Sequence, residues 1–173
     1  MTLLDRVTAV LSAHGIAHAL IGAAALAARG VARSTFDIDL LTTDTRVLDR
    51  QLWVVLAADH VTVDVRRGDA DDPLGGVVRV DAPGERPVDI ILGKHAWQAR
   101  AVEHADRMSG GPPVVLARDL ILLKLYAGGT QDVWDIRALL RLPGSEDLVA
   151  QVDHALEQQP AAMRDLWLET RRK

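Results

Sequence analysis

Apolar residues recur along this chain in two different periods. Leu3, Leu4, Val7, Val10 and Leu11 return every three or four positions, which predicts a short amphipathic helix ending near Gly15. Ile16 to Ile21 reads as a strand broken by Gly22, and Ala23 to Arg29 as a helix stopped by Gly30. Phe36 to Thr42 predicts a second strand. Asp44 to Ala58 predicts a helix with Leu48, Leu52, Val55 and Leu56 turned inward. Three further strands follow, Val61 to Arg66, Val77 to Asp81 and Val88 to Leu92. An acidic loop, Asp69 to Gly76, separates the first two, and the turn-rich Asp81 to Pro87 the last two. After a helix around Lys94 to Glu103, the segment Ser109 to Pro113 punctuates the chain. The pattern beyond it is helical: Arg118 to Ala127, Gln131 to Leu140, Glu146 to Gln158 and Ala161 to Arg171. This order predicts an α/β (α+β) fold, a mixed twisted sheet flanked by helices. Residues 1–111 would form the core and 112–173 a helical C-terminal lobe.

The run from Phe36 to Leu41 carries the strongest chemical signal. On a strand, alternate residues share a face, so Asp37 and Asp39 point one way while Phe36, Ile38 and Leu40 point the other. Two adjacent carboxylates repel unless protons or cations neutralise them. Mg²⁺ is held by one or two carboxylates together with substrate phosphates. The pair therefore asks for a metal, and the metal suggests a nucleotide.

Neighbouring residues extend that reading. Gly22 permits a sharp turn and close approach of the backbone to a ligand, and the helix after it directs unpaired N–H groups toward the same place. Thr35 lies on the face of Asp37, and Arg33 either pairs with a phosphate or caps the preceding turn. A two-metal site needs a further carboxylate from another strand. Asp89, alone among Val88, Ile90, Ile91 and Leu92, and Asp64, between Val63 and Val65, are the two candidates.

Composition narrows the class. Apolar residues make up 49% of the 173, enough for a core, and there is no cysteine, which excludes disulfides, thiol nucleophiles and Cys-based zinc sites. A net charge of −4 does not advertise a polyanionic partner, although Arg29, Arg33, Arg66, Arg67, Arg79, Arg86 and Lys94 are plentiful enough for a local basic cleft. Asp5 and Arg6 fall too early for a signal peptide. The alanine-rich run from Ala17 to Ala28 is short of the roughly 18 apolar residues of a membrane span. A soluble cytoplasmic protein with no membrane partner is the expectation. The six histidines show no His-Glu-x-x-His spacing, and neither a Walker A nor a Gly-x-Gly-x-x-Gly motif occurs.

The segment Ile21 to Leu41 resembles the opening motif of the nucleotidyltransferase superfamily, with its DNA polymerase β-like fold, and looks closest to the minimal and AbiEii-type branches. Their pattern is a strand, a glycine turn, a short helix and then Arg-x-Thr-x-Asp-x-Asp. Gly22, Arg33, Thr35, Asp37 and Asp39 fit it position by position, while Ala23 and Ala24 stand where related branches carry a hydroxyl. The family's third acid lies on an apolar strand, which selects Asp89. The stretch Ala117 to Leu140 resembles the helical region that follows the core in AbiEii-like proteins. Lys124, Asp132, Asp135 and Ile136 match there, and Gly129 and Gln131 replace an arginine and a lysine.

The resemblance implies an enzyme that moves a nucleoside monophosphate from an NTP, such as ATP, to a hydroxyl acceptor. One or two Mg²⁺ ions would sit on Asp37, Asp39 and Asp89, and the nucleotide would meet Gly22, Ala23, Arg33, Thr35 and Lys124. Asp132 and Asp135 read as helix-start and salt-bridge residues. An RNA acceptor with an antitoxin-like protein partner follows from the AbiEii likeness. A small-molecule acceptor of the aminoglycoside type, or an inactive binding protein of the same fold, are the alternatives. A basic groove beside the acids would favour RNA, and an acidic closed pocket a cationic small molecule.

Overall fold

The computed structural model describes residues 1–57, 60–108 and 110–172. They divide into two compact units, Met1–Ala24 with Ser34–Val115, and Ala25–Arg33 with Leu116–Lys173. The end of the expected helix at Ala58 and the serine that opens the Ser109 to Pro113 break lie outside the described residues.

The first unit is built on a five-stranded sheet, β1 (Ala19–Ile21), β2 (Ile38–Thr42), β3 (Thr62–Arg67), β4 (Gly76–Asp81) and β5 (Val88–Leu92), in the order β1-β2-β5-β4-β3. Within this sheet the β2–β5 pair is parallel and the other three pairs are antiparallel. This confirms a mixed sheet, flanked by α1 (Leu3–Ala13) and α3 (Ala96–Glu103). Thr2 starts α1 through a capping box with Asp5, and Leu3, Val7, Val10 and Leu11 form its buried stripe against β5. Alternation sorts the central strands. Leu40, Ile90 and Val78 are paired in register and fully buried, whereas Asp39, Asp89 and Arg79 form the next row and face the other way.

Two expectations fail here for identifiable reasons. The segment read as one helix from Asp44 is two 3₁₀ turns, Thr45–Leu48 and Arg50–Leu56. The Asp44 and Asp49 carboxylates each accept the backbone N–H two residues on, at 3.0 and 2.9 Å, so each aspartate starts its own turn. Trp53 then donates its indole N–H to the Val47 carbonyl at 2.8 Å, leaving Val55 outward rather than inward. The second strand begins at Ile38, and Phe36 is 76% exposed before it rather than packed beneath it.

The second unit contains α4 (Ala117–Ala127), α5 (Thr130–Leu140), α6 (Leu148–Leu156) and α7 (Ala161–Arg171), and α4 packs on the other three. The first helix of the alanine-rich segment, α2 (Gly22–Ala28), crosses the division between units. Leu120, Ile121, Ile136, Leu139, Val152 and Trp167 form the core of this second unit. Gly128 ends α4 in the left-handed region at φ +69°, with its N–H on the Lys124 carbonyl. Among the described residues no helix is long and apolar enough to cross a membrane.

Candidate metal and nucleotide site

The site is assembled by the parallel contact of β2 and β5. Their register makes Asp39 and Asp89 direct partners, and Asp37 sits just before β2 begins. One carboxylate oxygen from each of Asp37, Asp39 and Asp89 can be chosen so that all three lie within 4.8 Å of one another, and all three residues are half-buried. That separation is short enough for a shared cation and too short for three unscreened charges.

Each acid is held differently. The Thr35 hydroxyl donates to Asp37 Oδ1 at 2.8 Å, and the Arg86 guanidinium donates to the Asp37 carbonyl at 2.9 Å. Asp39 lies under the turn from β1 into α2. Gly22 makes that turn at φ +62°, and a Cβ there would collide with Asp39 Oδ2. Glycine is therefore required twice, for conformation and for room. Asp89 Oδ2 accepts from Arg79 at 2.9 Å, while its Oδ1 is buried with no hydrogen-bond partner among the described residues.

Burial pushes the Asp89 carboxyl above its ordinary range. Arg79 pulls it down, Asp37 and Asp81 push it up, and Arg66 pulls it down, in decreasing order of effect. A buried carboxylate oxygen without a partner, flanked by two more carboxylates, is the donor set that a hard divalent cation fits. The residues present therefore suit such an ion.

Asp64, the other candidate for the third acid, is placed elsewhere. It shares the row of Asp89, but β4 lies between their strands. Two inter-strand steps amount to roughly 10 Å, and Asp64 pairs instead with Arg66 at 2.7 Å. Arg79 occupies the intervening position and also reaches Asp81 at 3.3 Å. Sequence reasoning counted Arg79 and Arg86 only as bulk charge. The alternation Val78-Arg79-Val80 marks Arg79 as facing away from the core, but only the strand order sets it beside Asp89.

The motif residues of the second unit form their own network. Arg33 donates to Asp135 Oδ2, and Lys124 Nζ lies 2.7 Å from the same oxygen and 2.9 Å from Asp132 Oδ1. Gln131 supplies a further bond to Asp135, and Asp132 accepts the Gly129 N–H at the start of α5. Lys124 and Asp135 retain only 8% and 4% side-chain exposure, so this is a buried, compensated ion network. Ala23 is buried at the beginning of α2 and contributes no side-chain donor.

No protein-family model and no curated protein matches the chain by sequence. By structure it is similar to the aminoglycoside nucleotidyltransferase ANT(2″)-Ia. The crystal structure of that protein in complex with adenylyl-2″-tobramycin superposes with a TM-score of 0.55 at 17% identity, covering 98% of this chain and 95% of that one. The solution structure of the same antibiotic-resistance factor gives a TM-score of 0.58 at 18% identity, with the same coverage. With the mixed sheet and the β2–β5 contact that gathers the three aspartates, these likenesses establish that the chain has the nucleotidyltransferase fold.

Proposed function

We propose that this protein is a divalent-metal-dependent nucleotidyltransferase that moves a nucleoside monophosphate from an NTP to a hydroxyl group of a small molecule. The observation that carries the reading is the clustering of Asp37, Asp39 and Asp89 around the partnerless Asp89 Oδ1. Asp37 and Asp39 would hold the cation that grips the triphosphate, with Thr35 fixing the Asp37 carboxylate. Asp89 would complete the cation set on the side of the acceptor and take up the proton of its hydroxyl. The acceptor oxygen then bonds to the α-phosphorus as the bond to the bridging oxygen breaks, and pyrophosphate leaves. When bound, Mg²⁺ supplies charge neutralisation of the phosphates and favours the alkoxide form of the acceptor.

Gly22 and Ala23 would bring backbone rather than side-chain N–H groups toward the nucleotide. Arg33 and Lys124, the phosphate ligands that the motif implies, are both neutralised by Asp135 within the second unit. A small-molecule acceptor takes precedence over RNA because the similar ANT(2″)-Ia structure holds an adenylylated tobramycin.

The test is incubation of the purified protein with α-³²P-labelled ATP, CTP, GTP and UTP, Mg²⁺ and a panel of hydroxylated small molecules. Label should move from an NTP to a small molecule, with release of pyrophosphate, and EDTA or Asp37→Asn should stop it. Transfer that survives both changes would overturn the reading.

A further inference from the structure

The open face of the sheet continues past Asp89 into a pocket of 300 Å³ lined by Asp64, Arg66, Asp72, Leu74, Val77 and Arg79, among others. Asp89 is itself part of the wall, so the pocket reaches one of the three clustered carboxylates. The whole lining comes from the first unit. The geometry points to this pocket as the acceptor site, and to an uncharged polyhydroxylated compound, of the sugar or cyclitol type, as its occupant. This rests on the nucleotidyl-transfer reading above, which places the acceptor hydroxyl beside Asp89.

Charge decides the class. Three acidic residues (Asp64, Asp72, Asp89) and three basic ones (Arg66, Arg67, Arg79) line the pocket. They are largely spent on each other or on backbone: Arg66 holds Asp64 at 2.7 Å, Arg79 holds Asp89 at 2.9 Å, and Arg67 donates to the Leu48 carbonyl at 3.1 Å. An RNA end needs a surplus of cations for its phosphates, and a polyamine sugar needs a surplus of carboxylates. This wall provides neither.

It does provide further hydrogen-bonding capacity. Among the described residues Arg66 meets Asp64 through Nε, which leaves its terminal amino groups and a second Asp64 oxygen for a ligand. Such pairs suit vicinal hydroxyls, which both donate and accept. Leu74 and Val77, half-buried, add a small apolar surface for C–H groups. The volume lies at the lower end of small-molecule sites, at about 300 Å³.

The wall is also preformed. Lys94 Nζ bonds the carbonyls of Asp69 and Asp72, each at 2.6 Å, and the Asp72 carboxylate accepts the Leu74 N–H at 3.0 Å. A Cβ at Gly68 would collide with the Leu74 carbonyl, so the loop closes tightly on its own base.

The experiment is saturation-transfer NMR on the purified protein with myo-inositol, glucose, tobramycin and tRNA as probes, alongside a calorimetric Mg²⁺–ATP titration of the same sample. Myo-inositol or glucose should receive saturation, and the signal should fall at least fivefold in both Asp64→Asn and Arg66→Gln, whose folding is checked by thermal melting. The proposal is overturned if neither neutral probe binds, if their signal survives both substitutions, or if tobramycin or tRNA displaces them and binds more tightly. Neutral-probe binding without Mg²⁺–ATP binding would instead sink the nucleotidyl-transfer reading, leaving a polyol-binding pocket and overturning its acceptor role.

Discussion

Asp39 and Asp89 are direct partners across two parallel strands, β2 and β5. Their spacing is set by the backbone ladder, not by either side chain, so substituting one acid leaves the frame that positions the other. Parallel pairing needs a long crossover, which here contains β3, β4 and both 3₁₀ turns. The site is therefore a product of topology, and its chemistry can be dissected residue by residue.

Thr35 fixes the Asp37 carboxylate through a 2.8 Å hydrogen bond. Thr35→Val keeps the shape and removes the donor. Partners behind a metal ligand are typically worth about 10–100-fold in affinity. Mn²⁺ affinity followed by electron paramagnetic resonance should fall by about tenfold, with the thermal midpoint little changed. An unchanged affinity would mean that Asp37 is oriented by other contacts.

Asp89 carries a carboxyl that burial raises above its ordinary range. A group more readily protonated in the folded than in the unfolded state contributes stability that is complete below its unfolded pKa and lost as pH rises through its folded one. Asp89→Asn should therefore stabilise the metal-free protein at neutral pH and flatten its stability profile across that acidic window. Metal binding to the parent should weaken as pH falls through the same window, because proton and cation compete for one carboxylate. Denaturant titrations at several acidic pH values, with and without Mn²⁺, check both. A variant less stable than the parent at neutral pH would contradict the assignment.

Gly22 has φ +62° and no space for a Cβ against Asp39. The left-handed conformation alone costs a non-glycine residue roughly 1–2 kcal/mol, and the collision adds to it. Gly22→Ala should lower the melting temperature and abolish Mn²⁺ binding, because Asp39 must move. Retained binding at the parent's affinity would show that the turn can relax away from the carboxylate.

Lys124 shares the buried Asp135 with the more exposed Arg33. Breaking a buried pair from one side costs about 3–5 kcal/mol. Since Arg33 stays on Asp135, Lys124→Ala should destabilise by roughly 3 kcal/mol, toward the low end of that range. Lys124→Ala combined with Asp135→Asn should recover part of the loss. Urea denaturation of the single and double variants measures it, and a neutral Lys124→Ala would place the lysine in water.

Legibility in the sequence followed the range of the interaction. Asp37 and Asp39 were visible because a two-residue period is local, and Asp89 because an acid among Val88, Ile90 and Ile91 breaks an apolar run. Gly22 was visible as a turn. Its second duty, making room for Asp39, needs the antiparallel contact of β1 with β2. The choice between Asp64 and Asp89 depends on strand order, since both lie on outward rows of apolar strands. The Arg33–Asp135 pair joins segments that no local pattern connects, and the Arg79–Asp89 pair needs the register of the antiparallel β4–β5 ladder. The helix after Asp44 was expected because propensity and periodicity were locally acceptable. Two aspartate side chains competed for the backbone instead. Phe36 followed the alternation of its neighbours, but the strand starts only after it.

The proposed activity requires Asp37, Asp39 and Asp89 together to hold a divalent cation with an NTP. Calorimetric titration of Mg²⁺–ATP into the parent and into Asp37→Asn, Asp39→Asn and Asp89→Asn tests it most directly. Saturable, Mg²⁺-dependent binding to the parent is expected, with at least a tenfold loss in each variant and melting temperatures equal to or above the parent's. Equal Mg²⁺–ATP affinity in the parent and all three variants would contradict it.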